Sequence, residues 1–206
     1  MKMDYSKIVE RFREVFIGNG AEEEEDYPWF APADEEQIKY LTELYDTFNY
    51  WTQVYLDDEL EVLKEYKMPD LVVSFYAQYE PKDIPGTHAG IYLLDLEAIK
   101  DENSSGVLIK YGLITIATTI GGDLVCIDLN DKSDDPKVVL IESWQCSDPE
   151  DVSDYDYVCE IAHVVEDKFS DFIWKLSGDE YEDFEAWEEW DDEEDEGFVM
   201  KITAEE

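Results

Sequence analysis

Apolar side chains at helical spacing open the chain. Ile8, Val9, Phe12, Val15 and Phe16 share one face over residues 4–17, and Gly18, Asn19 and Gly20 end the run. Glu22 to Asp26 form an acidic stretch ahead of Tyr27-Pro28-Trp29-Phe30-Ala31-Pro32, which reads as a loop because two prolines exclude a regular helix. Asp34 then suits the N-cap of a second helix, with Ile38, Leu41, Leu44, Tyr45 and Phe48 on one face. A third helical pattern covers residues 57–66, with Leu60, Leu63 and Tyr66 inward, and Met68-Pro69-Asp70 breaks it. Pro69 fits the first turn of a fourth helix whose apolar face is Val72, Phe75, Tyr76 and Tyr79. Pro81 and Pro85-Gly86 close this part of the chain.

From residue 90 the period changes from 3.6 to 2. Residues 90–95 are a short apolar strand, followed by one helical turn around Leu96 to Ile99. Two β-branched runs, 112–120 and 123–129, flank Gly121-Gly122 and predict a hairpin in which the glycines take the positive φ of a tight primed turn. A third strand covers 137–142 after the Asp134-Asp135-Pro136 turn, and 157–162 offers a fourth. Phe169, Phe172, Ile173 and Leu176 then define a closing core helix. Met68, Val72, Phe75, Phe172 and Ile173 are predicted to lie in the core, not to line a cofactor site.

Residues 177–206 differ in kind. They hold 15 acidic residues and one lysine, with Tyr181, Phe184, Trp187 and Trp190 recurring every three residues. That spacing predicts a broad, drifting helical face whose aromatics rest on the domain and whose acids face solvent.

Charge narrows the possible functions. The chain has 206 residues with 55 Asp and Glu against 15 Lys and Arg, a net charge of −40. Hydrophobic residues make up 44%, enough to bury a core, so wholesale disorder is not expected. Binding to nucleic acid or anionic lipid needs clustered cations, and neither partner is expected here. No apolar run approaches the roughly 18–20 residues of a membrane span, and the start of the chain lacks the apolar core of a signal peptide. Cys126, Cys146 and Cys159 are an odd number with no zinc-knuckle spacing, which predicts reduced thiols in a cytoplasmic protein.

The chemistry-bearing residues form no catalytic pattern. Asp123 and Asp128 on the hairpin are the best-placed carboxylates, but turn and strand-end positions account for them. His88 and His163 are far apart and make no helical zinc motif. No glycine elbow holds a nucleophile, and no glycine loop ends in Lys-Ser or Lys-Thr. The acidic run at 191–196 lacks the alternating ligands and central glycine of a calcium loop. The chain reads as a non-enzyme without metal or cofactor.

Several short motifs occur in a set order. They are Asp58-Glu59-Leu60-Glu61, Met68-Pro69, residues 74–80 (Ser-Phe-Tyr-Ala-Gln-Tyr-Glu) and residues 91–96 (Ile-Tyr-Leu-Leu-Asp-Leu). Residues 121–129 (Gly-Gly-Asp-Leu-Val-Cys-Ile-Asp-Leu), 136–140 (Pro-Lys-Val-Val-Leu) and 169–173 (Phe-Ser-Asp-Phe-Ile) follow. This order over residues 58–176 resembles the SMI1/KNR4 family of the SUKH superfamily. Met68 replaces the usual leucine, and Glu80-Pro81 stands where Asn-Gly is common. The resemblance implies a single α+β domain with a curved, largely antiparallel sheet surrounded by helices. Residues 1–57 would add a helical extension packed on that core, and 177–206 an acidic, aromatic C-terminal segment.

The resemblance also implies a function class. Many bacterial members look like immunity proteins that bind and block a cognate polymorphic toxin, often a nuclease; fungal members look like regulatory scaffolds for cell-wall growth. A nuclease cleft lined with cations is complementary to dense carboxylates, which accelerate association. The expected partner is therefore a toxin with a basic surface. The expected contacts are Asp179, Glu180, Tyr181, Glu182, Asp183, Trp187, Glu188, Glu189, Trp190, Asp191 and Asp192. The alternative is a scaffold without a toxin target, for which the N-terminal helices would supply additional surface.

Overall fold

The computed structural model describes residues 3–45, 66–87, 89–104, 107–130, 132–147, 152 and 154–181. The helical pattern at 57–65, Phe48, His88 and the segment 182–206 lie outside them. Helix α1 (Tyr5–Gly18) forms on the predicted spacing and buries Ile8, Val9, Phe12 and Phe16. Helix α2 (Glu35–Thr42) starts at Asp34 with a complete capping box, the Asp34 side chain taking the Gln37 N–H and the Gln37 side chain the Asp34 N–H. Helix α3 (Asp70–Tyr79) buries Val72, Phe75 and Tyr76. Pro69 sits one position before it, as N-cap instead of in its first turn.

The loop at 22–32 contains a short ladder that its prolines concealed. Strand β1 (Phe30–Ala31) pairs antiparallel with β2 (Glu80–Pro81), Phe30 opposite Pro81. The five-stranded sheet is an antiparallel meander in the order β3 (Ile91–Leu93), β4 (Leu113–Thr119), β5 (Leu124–Asp128), β6 (Lys137–Ile141) and β7 (His163–Glu166). Between β3 and β4 stands α4 (Leu96–Ser104), nine residues where one turn was expected. Its start is held twice, by Asp95 Oδ1 accepting from Ala98 N at 2.7 Å and by Glu80 Oε1 accepting from Leu96 N at 3.0 Å.

Two sequence expectations need correction. The stretch at 157–162 is not a strand. It belongs to α5 (Tyr155–Ile161), capped by Asp154, whose side chain accepts from Tyr157 N at 3.0 Å. Val158 and Ile161, three apart, turn inward, and the fifth strand of the sheet is β7 immediately afterwards. The β4–β5 hairpin is not a two-residue primed turn either. Thr119 N donates to Asp123 O and Gly122 N to Thr119 O, both at 2.9 Å, so Ile120, Gly121 and Gly122 form a three-residue loop. Only Gly122 of the pair has positive φ, at 88°.

The sheet separates two cores. Its inner face packs with α1, α2, α3 and α6 (Phe169–Ser177) into the larger one, where Met68, Val72, Phe75, Phe172 and Ile173 are all buried. Aromatic rings bind the N-terminal part to it: Phe12 lies 5.3 Å from Phe30, Phe16 5.3 Å from Trp29, and Tyr5 5.8 Å from Phe75. On the outer face, Leu113, Cys126, Val139 and Ile141 meet Val107, Leu108, Cys146, Val158 and Ile161 in a smaller core.

Candidate interaction surface

Residues 178–181, after α6, are held against the domain. After α6 the chain folds back, with Glu180 N donating to Lys175 O at 3.0 Å, and Tyr181 turns inward against Phe172. The Tyr181 hydroxyl donates to Glu166 Oε1 at 3.1 Å, the oxygen that also receives Lys175 Nζ at 2.5 Å. Burial chiefly, and then the Glu166 charge, raise the pKa of this phenol and keep it protonated. Glu180 is paired with Arg11, whose guanidinium carbon lies 4.0 Å over the Trp174 ring and whose Nε donates to Ser177 Oγ at 3.3 Å.

This packing alters the expected contact set. Tyr181 is 5% exposed and anchors the segment to the core, so it is not an outward contact. Asp179 and Glu180 lie beside it. Glu182, Asp183, Trp187, Glu188, Glu189, Trp190, Asp191 and Asp192 lie outside the described residues.

A second acidic feature is built by the N-terminal loop. Glu22, Glu24 and Asp26 face Asp83 and Asp95 across an open cleft of about 650 Å³, with Lys82 on its wall. Tyr27, at its rim, is 76% exposed. Lys82 Nζ reaches inward to Glu80 Oε2 at 2.6 Å, and the fully buried Glu80 also holds the start of α4. The Glu80-Pro81 departure from the usual Asn-Gly is thus a structural carboxylate at the junction of β2 and α4.

The hairpin carboxylates do not form a catalytic pair. Asp123 Oδ1 accepts from Ser143 N at 3.2 Å, and Asp128 Oδ1 accepts from Asn130 N at 2.9 Å. They flank opposite ends of β5, about 16 Å apart at roughly 3.3 Å per residue, whereas paired carboxylates in glycoside hydrolysis stand roughly 5–9.5 Å apart. Among the described residues no group of three or more His, Cys, Asp or Glu could hold a metal ion. His163 opens β7, and Cys126, Cys146 and Cys159 are free thiols. None of the helices among the described residues is long and apolar enough to cross a membrane.

A different surface was not nominated from the sequence. Trp144, on a short 3-10 turn after β6, is 69% exposed, and Ile120 at the β4–β5 tip is 59% exposed. The available signal was a tryptophan set in a polar run, Glu142-Ser143-Trp144-Gln145.

The α+β order, the antiparallel meander and the closing α6 have a counterpart in one sequence profile, described as the SMI1 / KNR4 family (SUKH-1), which matches residues 7–175. The chain belongs to the SMI1/KNR4 family. No curated protein and no solved structure matches it. The SUKH-1 match begins within α1, well before residue 58, and the packing explains why. Phe12 and Phe16 share one core with Phe75, Phe169 and the sheet. SUKH proteins are known generally as non-catalytic immunity proteins against polymorphic toxins.

Proposed function

We propose that this protein is an immunity protein that binds and neutralises a cognate polymorphic toxin domain, a nuclease, without catalysis. The family match over residues 7–175 carries the reading, and the net charge of −40 supports a partner with a basic surface. Such charge steers association and weakens with salt. The acidic segment from Asp179 to Glu196 supplies that steering field at low structural cost, being rooted at Tyr181 and Arg11. The three free cysteines support a reducing, cytoplasmic site of action.

The scaffold reading draws less support from the packing of the N-terminal part. Its argument was that the N-terminal helices are surplus, yet α1 buries four side chains in the main core. The test is co-expression with the toxin encoded by the adjacent gene, followed by capture of the complex. Restored growth and a stable complex are the expected results. Unprotected cells, with no complex at low salt, would overturn the proposal.

A further inference from the structure

The outer face of the sheet is covered unevenly. The smaller core lies over β5 and β6, where Cys126, Val139 and Ile141 are buried. Towards β3 that cover stops: in the cross-strand row Tyr92–Thr118–Leu124, Tyr92 is exposed and the other two are half-buried. Ile120 and Trp144 reach solvent at the same end of the sheet.

These apolar side chains are held in place. The Trp144 indole N–H donates to Glu142 Oε2 at 3.0 Å, and Ser143 N donates to Asp123 Oδ1 at 3.2 Å, tying the 3-10 turn to the hairpin. Ile120 N donates to Gly90 O at 2.7 Å, and its side chain lies over Gly90. The Tyr92 ring covers Gly86 so closely that a Cβ there would overlap it. Side chains ordered before binding lose little entropy on contact, and exposed aromatics of this kind are the usual anchors of interfaces.

The carboxylates bonded at this end, Glu142 beside Trp144 and Asp123 at the hairpin, are both negative. A second copy of a chain with charge −40 is therefore a poor occupant. A planar guanidinium suits both features, because it stacks on an indole while its N–H fork pairs with carboxylates. The molecule already makes that contact internally, where Arg11 lies over Trp174 and pairs with Glu180.

We infer that the Tyr92–Ile120–Trp144 surface is the docking site for an arginine-bearing segment of the protein partner, an arginine stacking on Trp144 between Glu142 and Asp123. The inference rests on the proposed immunity function and names where the partner is anchored. The acidic C-terminal segment then supplies long-range attraction and this surface the short-range contact.

The test titrates the full chain, 15N-labelled, with octa-arginine and with octa-lysine at physiological salt. The Trp144 indole signal is identified by its loss in Trp144→Phe. Saturable shifts of that signal and of the Ile120 and Tyr92 amides are expected, about five-fold tighter for octa-arginine than for octa-lysine. Trp144→Ala, followed at the Ile120 amide, should weaken octa-arginine about five-fold, and Glu142→Gln about two-fold. Stationary signals here while others move, or unchanged affinity in both variants, would overturn the docking site. Protection of cells from the toxin is read separately, so failure of the site and failure of the immunity reading are distinguishable.

Discussion

The Asn103 side chain holds the backbone of Thr115 on both sides: its Nδ2 donates to Thr115 O at 2.9 Å and its Oδ1 accepts from Thr115 N at 3.0 Å. Strand β3 pairs with β4 only from Ala117 to Thr119, and a register shift separates Thr115 from Ala117. The amide therefore continues the ladder where β3 stops, satisfying a buried backbone that would otherwise lack partners. Asn103→Ala should destabilise the fold by about 2–4 kcal/mol, because two buried backbone groups lose their bonds. Urea denaturation measures it, and a loss below about 1 kcal/mol would contradict this role.

The hairpin glycines should separate. Gly122, at φ 88°, occupies the left-handed region, whereas a Cβ on Gly121 would meet Thr119 Oγ1 at an ordinary 3.6 Å. Gly122→Val should cost at least about 1–2 kcal/mol. Gly121→Ala should stay within about 0.5 kcal/mol. Equal costs in thermal melts would mean that the loop geometry is wrong.

Alkaline stability should carry the mark of a buried thiol. Burial pushes Cys126 from 9.0 up to about 12, against a smaller opposing pull from the Thr115 hydroxyl. The folded protein keeps this proton where the unfolded chain has lost it. The contribution is complete below pH 9 and declines towards pH 12, by about 1.4 kcal/mol per pH unit. Tyr76 and Tyr181, both raised chiefly by burial, add to the loss above pH 10. Cys126→Ala should be less stable at pH 8 yet lose less between pH 9 and 10.5. Parallel pH profiles for the two proteins would assign the decline elsewhere.

Truncation should divide at Tyr181. A chain ending at Tyr181 retains the ring against Phe172 and the hydrogen bond to Glu166. A chain ending at Gly178 loses both, together with the Glu180–Arg11 pair, and should be about 3 kcal/mol less stable. At low salt both should bind a basic toxin more slowly than the full chain, and high salt should remove most of the difference. Unchanged association at low salt would take the segment out of the binding mechanism.

The elements legible in the sequence were those whose cause is local. Asp34 with Gln37, and the spacing from Ile8 to Phe16, fix α2 and α1 within a few residues of themselves. The helix at 155–161 was misread because Tyr157, Cys159 and Ile161 alternate as a strand would, while the decisive pair is Val158 with Ile161. Asp154, three residues before Tyr157, was the signal that could have corrected it. The β1–β2 ladder joins residues fifty apart and is too short to show a period. Tyr181 rests on the domain as its aromatic spacing suggested, but its partners Phe172 and Glu166 lie in α6 and β7 and could not be read from that spacing. The Trp144 surface was hidden for a related reason, since which face of the sheet remains open is decided by how far the smaller core extends.

That smaller core has a dynamic consequence. It is roofed by two 3-10 turns and the seven-residue α5, whereas the larger core is closed by α1, α2, α3 and α6. Short helical pieces have few internal hydrogen bonds to break, so this roof is the natural unit of partial opening in hydrogen exchange. Amides of α5 should exchange well before those of β4 and β5. Because Cys126 lies under the roof, its rate of thiol labelling reports the opening directly, separating motion of one layer from unfolding of the whole.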